Sequence, residues 1–153
     1  ERYSLASSMK KKDRRIIAVA SGFETKNLRS SESLKLLNWG FRNTNTFEIS
    51  KKNKTIFELD TWLGKKNKIN ATTKEDYYIT INKKDIRHLT VTLEYDGPIS
   101  APIDTGTQIA NIVISKKNEI FKKLPLYAAE DLQKVNFFKS LIISLNYLIW
   151  GDV

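Results

Sequence analysis

The 153-residue sequence contains no cysteine. Disulfide staples, zinc–thiolate sites and cysteine nucleophiles are therefore excluded. Histidine is represented only by His88, which leaves no histidine pair to ligate a metal. His88 stands among polar residues ahead of an apolar run and reads as a surface residue. No metal and no cofactor are expected. Arginine is also scarce, with six residues against 20 lysines. Nucleic-acid readers lean on the bidentate fork of arginine. The lysines instead fall in short, dispersed pairs and triplets such as Lys10-Lys11-Lys12, Lys51-Lys52 and Lys122-Lys123. Most sit beside Asn or Asp between apolar runs, where solvated turns belong. Despite a formal charge of +9, no nucleic-acid partner is expected; a cationic surface that favours anionic lipid or polymer is. The first residue is Glu1, without a methionine or a charged-then-apolar leader. The sequence is therefore read as a piece of a longer protein.

Apolar residues make up 41% of the chain, with three Trp, six Tyr and seven Phe, which rules out a wholly disordered chain. Three textures follow one another. Tyr3 to Met9 and Arg15 to Gly22 read as two strands, with the polar stretch Lys10 to Arg14 as their hairpin loop. Leu34, Leu37 and Phe41 then recur at helical spacing behind Ser30-Ser31-Glu32-Ser33, a helix-start pattern, and Asn43-Thr44-Asn45 ends the segment. From about residue 46 onward, short β runs predominate: Thr55–Trp62, Tyr77–Ile81, Ile86–Tyr95, Gln108–Ser115 and Glu119–Leu126. Lys116-Lys117-Asn118 reads as a hairpin turn, and Asp104-Thr105-Gly106 as a breaker rather than a protease triplet. Regular short strands without a helical period predict a small antiparallel sandwich.

The end changes again, since Asn136 to Trp150 is apolar and helical in period. At 100° per residue, Phe137, Phe138, Leu141, Ile142, Leu145, Leu148 and Ile149 share one arc of about 140°. A helix over Phe137–Trp150 would be roughly 21 Å long, too short for a hydrocarbon core of about 30 Å. It is expected to lie in a membrane surface, with Tyr147 and Trp150 near the headgroups.

Several segments carry a family resemblance. Tyr3-Ser4-Leu5-Ala6-Ser7-Ser8 with Asp13-Arg14-Arg15-Ile16-Ile17-Ala18-Val19, and Leu36-Leu37-Asn38-Trp39-Gly40-Phe41-Arg42-Asn43, resemble the end of the catalytic domain of the serine-type D-alanyl-D-alanine carboxypeptidases. These are the low-molecular-mass penicillin-binding proteins of peptidase family S11. Ser100-Ala101-Pro102-Ile103, Gly106-Thr107-Gln108-Ile109-Ala110 and Leu124-Pro125-Leu126-Tyr127-Ala128-Ala129-Glu130-Asp131 are similar to signatures of the family's C-terminal β domain. The resemblance runs in register along essentially the whole chain and concerns the C-terminal portion only.

The resemblance implies a mainly β fold with α. Residues 1–44 would be the hairpin and last helix of a transpeptidase-like catalytic domain, 46–131 an all-β domain, and 135–153 an amphipathic membrane-anchor helix. The family removes the terminal D-Ala of peptidoglycan stem peptides through an acyl-enzyme, using Ser-x-x-Lys, Ser-x-Asn and Lys-Thr-Gly motifs. All three are expected upstream of Glu1, so this chain would hold no catalytic residue and be inactive by itself. Ser7-Ser8-Met9-Lys10 fits the first pattern, but strand alternation puts Ser7 and Lys10 on opposite faces. Ser144-Leu145-Asn146 fits the second only within the terminal helix. Arg29, near the start of the family's last catalytic helix, corresponds to an arginine beside the substrate's terminal carboxylate, which a guanidinium would attract. Implied partners are the inner-membrane surface on its periplasmic side and, in the complete enzyme, the stem peptide. Exposed apolar surfaces would promote self-association. The alternative reading is a non-enzymatic basic β module that binds an anionic surface or a protein partner.

Overall fold

A computed structural model describes residues 2–117 and 119–151 of the chain. Its contacts divide into two compact units, Glu1–Phe47 with Tyr78–Arg87, and Glu48–Tyr77 with His88–Val153. The fold is mainly β with two α-helices.

The first unit opens on strands β1 (Tyr3–Lys11) and β2 (Arg14–Phe23), paired antiparallel with Lys11 opposite Arg14. The loop is thus Lys12-Asp13 alone, shorter than the five-residue loop expected. Lys12 adopts a φ of 54° there, the left-handed geometry that two-residue hairpins require. Helix α1 (Lys26–Asn43) follows and begins a turn earlier than the serine cluster suggests. Its cap is Thr25, whose hydroxyl oxygen accepts from the Leu28 amide at 3.1 Å. Ser33, Leu37 and Gly40 are its buried residues. A Cβ on Gly40 would stand 3.0 Å from Ile16 Cδ1, so glycine permits close approach of helix and hairpin. The helix ends where Thr44 turns extended and its hydroxyl donates to the Gly40 carbonyl at 2.7 Å.

Strand β3 (Thr44–Ser50) leaves directly from α1 and pairs with β6 (Tyr77–Asn82). The expected helix-ending stretch Asn43-Thr44-Asn45 thus already contains the first two residues of β3, a strand absent from the expected runs. The Lys83 amide donates to the Asn43 carbonyl at 2.8 Å, and the Thr46 and Thr80 hydroxyls stand 2.8 Å apart. Chain order groups residues 78–87 with the later β segments; in space they cluster with the first unit through these bonds.

The second unit is built on one sheet of six strands in the order β7-β9-β10-β5-β4-β8. These are β4 (Phe57–Trp62), β5 (Lys68–Thr72), β7 (Leu89–Glu94), β8 (Ile99–Ser100), β9 (Gln108–Lys116) and β10 (Glu119–Ala128). Neighbours are antiparallel except β4 and β8, which run parallel. The expected run Ile86–Tyr95 divides into a 3-10 turn, Ile86–His88, and β7. Its Val91 is exposed, and β7 is an edge strand of the sheet. Alternation along β9 and β10 buries Ala110, Ile112, Ile114, Leu124, Leu126 and Ala128, joined by Leu59 and Ile69. Lys117 takes a φ of 50° between β9 and β10; Asn118, the last residue of the expected turn, lies outside the described residues, as do Asp152 and Val153 of the expected anchor segment.

Helix α2 (Phe137–Trp150) closes the described chain. Asn136 precedes it without a side-chain cap bond, and Gly151 ends it at φ 72°, its amide donating to the Tyr147 carbonyl at 2.9 Å. That left-handed position suits glycine.

Candidate functional site

In the first unit, Arg29 occupies the first turn of α1. Its guanidinium carbon stands 5.9 Å from the centre of the Tyr3 ring. A cation in the first turn is disfavoured by the helix dipole by about 0.3–1 kcal/mol, and that turn contains no acidic residue to offset it. Arg29 Nε is buried and has no hydrogen-bond partner. Arg29 as a whole is half-buried.

Ser7 is half-buried and its hydroxyl donates to the Ala18 carbonyl at 3.3 Å, whereas Lys10 projects exposed from the other face of β1. Ser144 and Asn146 are exposed on α2. His88 is exposed at the end of its 3-10 turn. The Asp104-Thr105-Gly106 segment is a turn held by Asp131, whose carboxylate accepts from the Thr105 hydroxyl at 2.6 Å and from its amide at 2.7 Å. These two bonds, the hydroxyl's first, keep the Asp131 pKa below the ordinary carboxylate value.

In the second unit, all seven apolar positions of the arc lie on α2 and face outward. Their exposure runs from 47% at Leu145 to 82% at Leu148. The far side of the helix makes the contact with the sheet: Ser140 and Ile143 are half-buried there, and Tyr147 meets Trp62 edge-on, ring centres 5.1 Å apart. A cleft of about 830 Å³ remains beside that contact, lined by Trp62, Tyr95, Pro98, Ile143 and Tyr147 among others. The helix is therefore seated by a narrow polar-aromatic edge and keeps its apolar arc free. Near its start, Lys65 and Lys66 are engaged by Gln133 and Glu130, while Lys134 and Lys139 form no ion pair among the described residues. No helix among the described residues is long and apolar enough to cross a membrane. Among the same residues, no cluster of His, Asp or Glu could hold a metal ion.

Two residues of these sites escape sequence reasoning. Trp62 ends a strand, and nothing in its neighbourhood signals a partner 85 positions further along the chain. Ser33 reads as part of a cap cluster, yet it is buried one turn beyond Arg29; its spacing of four from that arginine is the signal that was available.

A β unit of this topology, preceded by a hairpin and helix and followed by an apolar-faced helix, defines a recognisable class. The chain belongs to the family of the penicillin-binding protein 5 C-terminal domain, which matches residues 45–134, more than half of its length. It is 31% identical over 141 residues to the D-alanyl-D-alanine carboxypeptidase DacF of Bacillus subtilis, covering 92% of this chain and 36% of that protein. It is 29% identical over 137 residues to DacC of Escherichia coli, a protein of the same description, with 89% and 34% covered. Among solved structures, penicillin-binding protein 5 from Haemophilus influenzae matches with a TM-score of 0.74 at 30% identity, over 86% of this chain and 39% of that one. The chain spans about a third of the length of the carboxypeptidases it matches.

Proposed function

We propose that this chain is the C-terminal part of a serine-type D-alanyl-D-alanine carboxypeptidase. The complete enzyme would remove the terminal D-Ala from peptidoglycan stem peptides through an acyl-enzyme, with its nucleophile, base and Lys-Thr-Gly strand carried outside these 153 residues. Within this chain, Arg29 would attract the substrate's terminal carboxylate. The β unit would serve as a stalk, and α2 would hold it peripherally on the periplasmic face of the inner membrane. Relatives that carry the carboxypeptidase name along nearly all of this chain support the activity.

One observation carries the anchoring role: α2 turns its polar-aromatic edge to the sheet and its whole apolar arc to solvent. A helix evolved to pack on its own domain would do the reverse, because burying that arc is worth roughly 1.5–3 kcal/mol per large side chain. Sunk by about 5–10 Å, the arc would meet acyl chains while Lys134 and Lys139 meet anionic headgroups. Trp150, 79% exposed, reports on this directly. In a variant with Trp39→Phe and Trp62→Phe, adding vesicles of anionic phospholipid should shift Trp150 emission to the blue and expose it to quenching by brominated acyl chains. An unchanged spectrum, with concentration-dependent dimerisation in sedimentation, would assign the arc to self-association instead.

A further inference from the structure

Among the described residues, the only buried side-chain polar atoms without a hydrogen-bond partner are Arg29 Nε and Ser33 Oγ. They belong to one helix and stand four positions apart, so they lie on the same face, about one turn from each other. Ser33 is 2% exposed, and the Arg29 guanidinium is covered by the Tyr3 ring. Their hydrogen-bonding capacities are complementary: Nε–H can only donate, and a hydroxyl can accept. Leaving both unmet in a buried site costs a desolvation penalty at each atom. The neighbouring serines behave differently, since Ser30 and Ser31 donate to the carbonyls of Lys26 and Leu28. Ser33 makes no such backbone bond, which leaves its hydroxyl available.

We infer that Ser33 is a positioning residue for Arg29. Its hydroxyl accepts from Arg29 Nε–H across one bridging water, which is nearly as good in enthalpy as a direct bond. That bond and the Tyr3 ring together fix the plane of the guanidinium. With Nε engaged inward, the two Nη groups form the free edge, the geometry that suits a bidentate carboxylate. The pairing stands on the helix geometry; only the use of the free edge rests on the function proposed above.

The experiment turns on a difference of sign. If the Ser33 hydroxyl serves nothing, Ser33→Ala removes an unsatisfied group and installs a better helix former, and Tm rises. If Ser33 holds Arg29, the same change strands a buried N–H, and Tm falls. We expect Tm of the 153-residue chain to fall in Ser33→Ala, and to rise when Ser33→Ala is made in an Arg29→Met background. We expect the Arg29 Nε–Hε signal in ¹⁵N NMR to exchange with water on the order of tenfold faster in Ser33→Ala, as loss of one buried hydrogen bond implies. A raised Tm when Ser33→Ala is made in the otherwise wild-type chain, which keeps Arg29, or unchanged Nε–Hε exchange, overturns the pairing. In the complete enzyme, Ser33→Ala should raise KM for a peptide ending in D-Ala-D-Ala and leave kcat nearly unchanged. If the Tm and exchange results hold but KM does not move, the pairing stands and the substrate role of Arg29 is what fails.

Discussion

The two helices are built on opposite principles. α1 is rich in polar residues, yet it seats Ser33, Leu37 and Gly40 beneath a hairpin. α2 is apolar along most of its length, yet buries no residue. Hydrophobic content alone therefore does not decide which helix builds a core. The decisive factor is whether neighbouring elements present a matching surface. Ile16 approaches Gly40 so closely that a methyl there would press on it, whereas α2 meets its unit through the edge of Trp62. α1 buries part of its surface within its unit, whereas α2 leaves its apolar arc exposed.

Leucine truncation puts the contrast at its sharpest. Leu37 is 4% exposed and Leu148 is 82% exposed. Leu37→Ala should cost about 2–5 kcal/mol in denaturant unfolding, as cavity-forming changes do. Leu148→Ala should stay within about 0.5 kcal/mol. Equal costs would break the comparison, since they would mean that α2 is packed after all.

Capping gives a smaller test of the same contrast. The Thr25 hydroxyl accepts from the Leu28 amide, but Asn136 makes no side-chain cap bond. Thr25→Ala should lower stability by about 1 kcal/mol, whereas Asn136→Ala should change unfolding by a few tenths at most. Urea melts followed by circular dichroism would separate the two. A larger cost at Asn136 would show that α2 depends on its own cap more than its surroundings suggest.

Legibility in the sequence followed a physical rule. The hairpin of β1 and β2 and the pair β9 and β10 were readable because apolar or alternating runs flank short polar turns. β3 was not, because Asn43-Thr44-Asn45 looks like punctuation when read locally, and only pairing with β6 makes it a strand. β5 was missed for a related reason. Its Lys68-Ile69-Asn70-Ala71-Thr72 sequence is weakly apolar, and burial between β4 and β10 decides its fate. The start of α1 was misplaced because three serines compete as caps, and the one residue that caps it, Thr25, lies upstream of them. At the sites, the arc of α2 was visible from a 100° period because a solvent-facing helix needs no partner to define its face. The Trp62–Tyr147 contact and the burial of Ser33 depend on tertiary placement, to which a local pattern is blind.

The central claim, that α2 is a surface anchor and not part of a core, is tested most directly by liposome flotation. The wild-type chain should float with anionic phospholipid vesicles, and binding should weaken at high salt as the lysine contribution is screened. Leu141→Asp with Leu145→Asp should abolish flotation, since each charge costs about 2.5–3.5 kcal/mol at the centre of a membrane and less in the interface. Circular dichroism of the double variant should retain the β signal of the wild type. A wild-type chain that stays in the soluble fraction, or a double variant that floats as well as the wild type, would contradict the account.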